Sequence, residues 1–144
     1  MFLFVVKQTR THACQKNQSE YSYKAAMSCF WQGLVAKVPA LKSMPVSDVC
    51  RHLQSVNELT DEVAWNGNLL TEKQQQENFV WIEAYDAAQY DQGHWTGACD
   101  PFLALICQIF CINIDHVYDG TTLVFRHPRA TNKVTFVSST SHFS

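Results

Sequence analysis

The chain has 144 residues, of which 47% are hydrophobic and 17% are charged, and its formal net charge is −2. This length and composition predict one compact domain, residues 1–144, and exclude a disordered chain. Lysine and arginine are scattered and form no basic stripe, so we expect no nucleic-acid partner. The six cysteines are too few for a disulfide-dense secreted scaffold, which favours reduced thiols in a cytoplasmic compartment.

The N-terminal part of the chain predicts a short apolar element followed by two helices. The apolar run 1–6 is too short to cross a membrane, so we expect a first strand or capping segment and no membrane partner. Apolar residues at helical spacing over 24–38 predict a helix that ends before Pro39. Pro45 marks the start of a second helix.

The middle of the chain predicts a turn and two further helices. Residues 66–68 read Asn-Gly-Asn, which is typical of a tight turn. Thr71 and Gln74 have the spacing of a capping box and predict the start of the third helix. Asp100 and Pro101 begin a fourth helix that is apolar nearly all round, so this helix should be central in the fold.

The hydrophobic pattern changes from helical spacing to alternation after Cys111. Residues 112–118 and 121–126 alternate on either side of Asp119-Gly120, which predicts a hairpin. Residues 133–138 predict a third strand. Helices followed by strands predict an α+β fold, with the helices packed on a small, mainly antiparallel sheet.

Cys29 stands at the predicted entrance of the first helix and is either a packing residue or a nucleophile. A helix N-terminus favours a thiolate, but catalysis also needs an imidazole and backbone N–H groups for the oxyanion. The most economical base is His142, directly after the predicted third strand, because this arrangement of thiol and histidine is papain-like. Spacing alone favours the packing role for Cys29, since cysteine is among the most buried residue types.

The other histidines are weaker candidates for the base because of where the predicted elements place them. We expect His12 in the polar N-terminal segment and His52 on a helix face. We expect His94 at a loop surface, His116 in a strand and His127 in a second loop.

A zinc site is an alternative use of the C-terminal cysteines. Cys107 and Cys111 share a helical face, His116 follows them, and Cys99 is nearby. Paired Cys-x-x-Cys knuckles are absent and the flanking residues are apolar, so the sequence disfavours a metal site.

Five short motifs follow one another in an order that covers most of the chain. They are Cys29-Phe30, Trp95-Thr96-Gly97, Phe102-Leu103-Ala104-Leu105-Ile106, Ile112-Asn113-Ile114 and His142-Phe143. With this ordered set the chain resembles the ovarian-tumour (OTU) family of deubiquitinating cysteine proteases, and its size resembles the compact viral members. The resemblance implies a papain-like fold in which Cys29 is the nucleophile and His142 is the general base.

The same resemblance implies the substrate and the setting of the reaction. Its substrate would be the (iso)peptide bond at the C-terminus of ubiquitin or of a ubiquitin-like modifier, cleaved without any cofactor. The protein would act as a monomer in the cytoplasm, which for a viral protein is the host cytoplasm. Removal of ubiquitin would there blunt host immune signalling.

Three positions depart from the family pattern. Residues 26–28 lack the family's Asp-Gly-Asn/Asp, so the oxyanion loop, with backbone N–H groups expected from Ala26 and Cys29, is built without glycine. Thr96 interrupts the family's Trp-Gly pair. Ser144 takes the place of the acid or amide that orients the histidine, and a hydroxyl cannot offset imidazolium charge as a carboxylate does.

These departures keep other functions open. One is a catalytically impaired module of OTU fold that binds ubiquitin or another partner. A second is a viral protease that processes a polyprotein. A third is an unrelated α+β protein in which the motifs coincide by chance.

Overall fold

The computed structural model describes residues 29–94, 99–139 and 142–144. Its helices are α1 (Cys29–Lys37), α2 (Val46–Ser55), α3 (Glu72–Ala84) and α4 (Pro101–Phe110), with 3₁₀ turns at Pro39–Leu41 and Ala87–Gln92. Its strands are β1 (Ala64–Trp65), β2 (Asn68–Leu69), β3 (Asn113–Tyr118), β4 (Thr121–Arg126) and β5 (Lys133–Ser138). The strand or cap predicted over residues 1–6, and the predicted helical residues before 29, lie outside the described ranges.

The five strands form one mixed sheet in the order β2-β1-β4-β3-β5. Every pairing is antiparallel except that of β3 with β5, which is parallel. Asp119 and Gly120 both adopt positive φ angles, 48° and 82°, as the tight turn of a twisted hairpin requires. The α+β class and the predicted hairpin are therefore confirmed, and the parallel pair makes the sheet mixed.

The loop between β4 and β5 crosses the start of β3, which lies between them in the sheet. Asn113 fastens both ends of this loop. Its side-chain oxygen accepts a hydrogen bond from His127 N at 2.9 Å, and its own N–H donates to Asn132 O at 2.9 Å. This connection brings β5 to the far side of β3, where its parallel neighbour is the only strand it pairs with among the five.

Helix α4 is the centre of the hydrophobic core, as its apolar sequence predicts. Its first eight residues are buried, and it contacts α2, α3, β3 and β4. The Asp100 carboxylate caps it by accepting hydrogen bonds from Phe102 N at 2.9 Å and Leu103 N at 3.2 Å. Each large apolar side chain buried here stabilises the fold by about 1.5–3 kcal/mol. None of the described helices is long and apolar enough to span a membrane.

The segment between α2 and the 3₁₀ turn at Ala87 contains two local features that the sequence predicts, a helix capping box and a tight turn. Thr71 and Gln74 form the predicted capping box at the start of α3. Asn66 and Gly67 have φ angles of 50° and 93° and form the predicted turn, which is flanked by β1 and β2.

Glu62 joins the loop before β1 to the loop after β4. Arg129 donates to its carboxylate oxygens at 2.7 and 2.9 Å, and His127 Nε2 lies 3.1 Å from Oε1. The hydrogen bonds from Arg129, and next that from His127, hold the pKa of Glu62 below its usual value. Because this pKa is depressed in the folded state, the contribution to stability is present above the unfolded-state pKa and is lost as the pH falls through the folded one.

We therefore expect the free energy of unfolding to fall as the pH drops through and below the ordinary pKa of a glutamate, and Glu62→Gln to weaken this dependence. Urea denaturation at several pH values measures both. Glu77→Gln, at an exposed position on α3, is the matched control and should keep the wild-type dependence. An unchanged pH dependence in Glu62→Gln would contradict the expectation.

Candidate active site

Cys29 is the first described residue of α1, and its side chain is half-buried. The helix is held in place by buried apolar side chains directly after it, Phe30, Trp31 and Leu34. At the other end of α1, Lys37 Nζ donates to Thr135 O of β5 at 2.8 Å. The thiol therefore sits on a helix that is packed into the core and tied to the edge of the sheet.

After β5 the chain folds back on itself and places His142 beside the end of that strand. Ser139 N donates to His142 O at 2.8 Å. Val137 and Ser144 exchange two backbone hydrogen bonds, at 2.8 and 2.9 Å, and Phe143 forms an antiparallel bridge with Ser138. The last three residues thus continue the sheet for a short distance, and His142 itself is exposed.

The ring of Phe143 connects this C-terminal segment to α1. Its centroid lies 4.8 Å from that of Phe30 and 4.9 Å from that of Phe136. A Cβ atom at Gly33 would lie 2.8 Å from Phe143 Cδ1, so the ring approaches α1 more closely than any residue with a side chain would allow. The structure therefore brings together Phe30 and Phe143, the residues that follow Cys29 and His142.

Gly33 is a site residue that the sequence reasoning missed. A lone glycine in a helical pattern has no partner that the sequence reveals, and only its placement in an apolar helix beside the family motif hints at a packing role. The pairing of Cys29 with His142 as nucleophile and base stays a prediction.

Ser144, the predicted orienting residue, has its hydroxyl directed at the backbone. Its Oγ–H donates to Val137 O at 3.4 Å, which leaves the oxygen lone pairs as acceptors. The expected oxyanion donor Ala26 and the Trp95-Thr96-Gly97 motif lie outside the described residues.

The other described cysteines differ in how readily they ionise. Burial raises the pKa of Cys50, Cys99 and Cys107 to about 12, so these thiols stay protonated near neutral pH. Cys111 is half-buried, and its Sγ lies 4.0 Å from His127 Nε2. Burial thus makes three of the alternative thiols poor nucleophiles.

The expectation that His94 lies at a loop surface is wrong. Its side chain is 4% exposed, and its Nε2 lies 2.8 Å from Asp100 Oδ2. Its ring stacks on that of Phe30 with centroids 3.6 Å apart. The sequence next to His94 does not reveal this burial, because the rings that cover its side chain come from distant elements, α1, α3 and α4.

The residues of the alternative zinc site lie in separate environments and contact different neighbours. Cys107 is buried within α4, Cys111 approaches His127, and His116 Nε2 lies 2.6 Å from Ser138 Oγ. Across the described part of the chain, no group of three or more His, Cys, Asp or Glu side chains is arranged to hold a metal ion.

Comparison of the chain with family models, with curated proteins and with solved structures gives no match. The likeness to OTU proteases therefore rests on the ordered motifs in the sequence, and the structure adds the contact of Phe143 with Phe30 and Gly33.

Proposed function

We propose that this protein is a cysteine peptidase of OTU type that hydrolyses (iso)peptide bonds at the C-terminus of ubiquitin or a ubiquitin-like modifier. The observation that carries the proposal is the packing of Phe143 against Phe30 and Gly33. This packing fastens the segment that bears His142 to the helix that bears Cys29. A thiol on a helix and a histidine that follows a strand of the neighbouring sheet are also the parts that a papain-like enzyme brings together.

The proposed chemistry needs only groups of the chain and water. His142 takes the proton from the Cys29 thiol, and the thiolate attacks the carbonyl carbon of the modifier's C-terminal glycine. His142 then gives the proton to the departing lysine amine, which leaves a thioester on Cys29. Water, deprotonated by His142, attacks the thioester and expels the Cys29 thiolate, which takes that proton back from His142, and the modifier leaves with a free carboxylate. Backbone N–H groups at Ala26 and Cys29 are the expected donors to the oxyanion.

The proposal is tested with ubiquitin that carries an electrophile at its C-terminus. We expect one covalent adduct per chain, located at Cys29 by peptide mass mapping, and no adduct in Cys29→Ala. Cys111→Ala removes another half-buried thiol and should react like the wild type. An adduct at another cysteine, or one that survives in Cys29→Ala, would contradict the assignment.

A module of the same fold that binds ubiquitin without cleaving it is the second candidate. The observation that favours it is the Ser144 hydroxyl, which donates to Val137 O and offers no charge to balance an imidazolium. Binding of unmodified ubiquitin, measured by calorimetry, together with the absence of any adduct would favour this alternative.

A further inference from the structure

Besides the neighbouring ring of Trp31, Phe30 contacts two rings that are distant from it in the sequence, His94 and Phe143. His94 stacks on it with centroids 3.6 Å apart and an interplanar angle of 12°. Phe143 packs against it at 4.8 Å. The orientation of Phe30 therefore depends on His94. Phe30 follows Cys29 and contacts Phe143, which follows His142, so this orientation affects the segments of both proposed catalytic side chains.

His94 is in turn held by the first turn of the central helix. Its Nε2 lies 2.8 Å from Asp100 Oδ2, and the two side chains are 4% and 2% exposed. The other oxygen of the same carboxylate caps α4 through Phe102 N and Leu103 N. Since α4 is the most buried element of the fold, the contact with Asp100 fixes the plane of the imidazole relative to the hydrophobic core.

The pair lies in an aromatic enclosure that excludes water. Four rings surround His94 at centroid distances of 5.6 to 6.1 Å: Trp31, Trp81, Tyr85 and Phe102. Burying a histidine and a carboxylate in such a place is costly, and an apolar side chain of similar volume would stabilise the core at least as well. The need to hold the His94 ring in one orientation explains the His94–Asp100 pair better than core packing does. A hydrogen bond fixes the rotation of a ring, whereas an apolar contact does not.

We propose that His94 is a positioning residue, which with Asp100 sets the orientation of Phe30 and thereby the placement of Cys29 relative to His142. The catalytic consequence of this inference rests on the proposed function. His94 is not itself placed as the base, because its Nε2 lies 2.8 Å from Asp100 Oδ2 and its buried Nδ1 makes no hydrogen bond within the described part of the chain.

The variants separate the hydrogen bond from the ring. His94→Gln keeps a donor for Asp100 and loses the stacked ring, whereas His94→Phe combined with Asp100→Asn keeps a ring and removes the buried charge. Asp100→Asn alone keeps an acceptor for the α4 cap and a polar partner for His94, so it should cause the smallest loss of the three. His52→Gln, at a half-buried position on α2, is the matched control and should behave like the wild type.

Two rates are measured on the full chain, with thermal unfolding recorded for each variant. One is steady-state hydrolysis at the ubiquitin C-terminus, and the other is alkylation of Cys29 by iodoacetamide, followed by peptide mass mapping. We expect His94→Gln and His94→Phe/Asp100→Asn each to lower kcat by about 10-fold to 100-fold with KM unchanged, because a displacement of about 1 Å costs up to that much. The rate of Cys29 alkylation should likewise fall in these two variants and fall least in Asp100→Asn.

The outcomes are distinct. Wild-type kcat and alkylation rates in both folded His94 variants would overturn the inference. A loss as complete as that of a missing general base, with the fold intact, would also overturn it and would make His94 a catalytic residue. If the wild type forms no ubiquitin adduct but Cys29 alkylation still slows in the His94 variants, the proposed function fails and the positioning role stands.

Discussion

Replacement of His142 by alanine is expected to abolish hydrolysis, which means a loss of turnover of at least about 10⁴-fold. In the proposed mechanism the imidazole takes the proton from the Cys29 thiol and gives one to the departing amine, and an alanine side chain can do neither. His142 is exposed, so the same substitution should change the free energy of unfolding by no more than about 0.5 kcal/mol. Steady-state kinetics and urea denaturation on the same preparation measure the two effects.

Ser144 supplies the controls for this prediction. Ser144→Ala should have a much smaller effect than His142→Ala, because the Ser144 hydroxyl already donates to Val137 O and offers the imidazole an acceptor only. Ser144→Asp should raise the rate, since a carboxylate there would stabilise the imidazolium. Retained hydrolysis in His142→Ala would show that another group is the base.

Gly33→Ala is expected to lower turnover by about 10-fold to 100-fold, although it replaces a helix-interior glycine with the best helix former. Its new Cβ would stand 2.8 and 2.9 Å from Phe143 Cδ1 and Cε1, so the ring must move away from α1. Because Phe143 is adjacent to His142 and contacts Phe30, its displacement should shift the proposed base, His142, relative to the proposed nucleophile, Cys29. Hydrolysis kinetics and the rate of the Cys29 adduct measure this effect.

A second substitution tests whether the clash is the cause. Phe143→Leu combined with Gly33→Ala should lose less than the sum of the two single losses, because a smaller side chain relieves the contact. Gly120→Ala is the contrasting control, since its φ is 82° and an added Cβ would meet nothing within 4 Å. It should strain the β3–β4 turn without changing turnover, whereas equal kinetic losses in both glycine variants would refute the role given to Phe143.

The sequence alone determined those elements whose signals are local. The capping box at Thr71 and Gln74, the Asp100 cap of α4 and the turn at Asp119-Gly120 are each set by residues within four positions of one another. The alternating pattern likewise marked β5 at the bounds that the structure has. These features were predictable because a backbone hydrogen bond or a positive φ is satisfied within the segment itself.

Only the tertiary structure decided which distant segments meet. Strands β1 and β2 are two residues each, too short for any periodic signal, and they exist because β1 pairs with β4. The parallel neighbour of β5, the burial of His94 and the contact of Phe143 with Gly33 depend equally on long-range packing. The sequence named Cys29 and His142 as candidates, but the physical link between their segments is a ring packed against a glycine, and contacts of this kind are set by the fold as a whole.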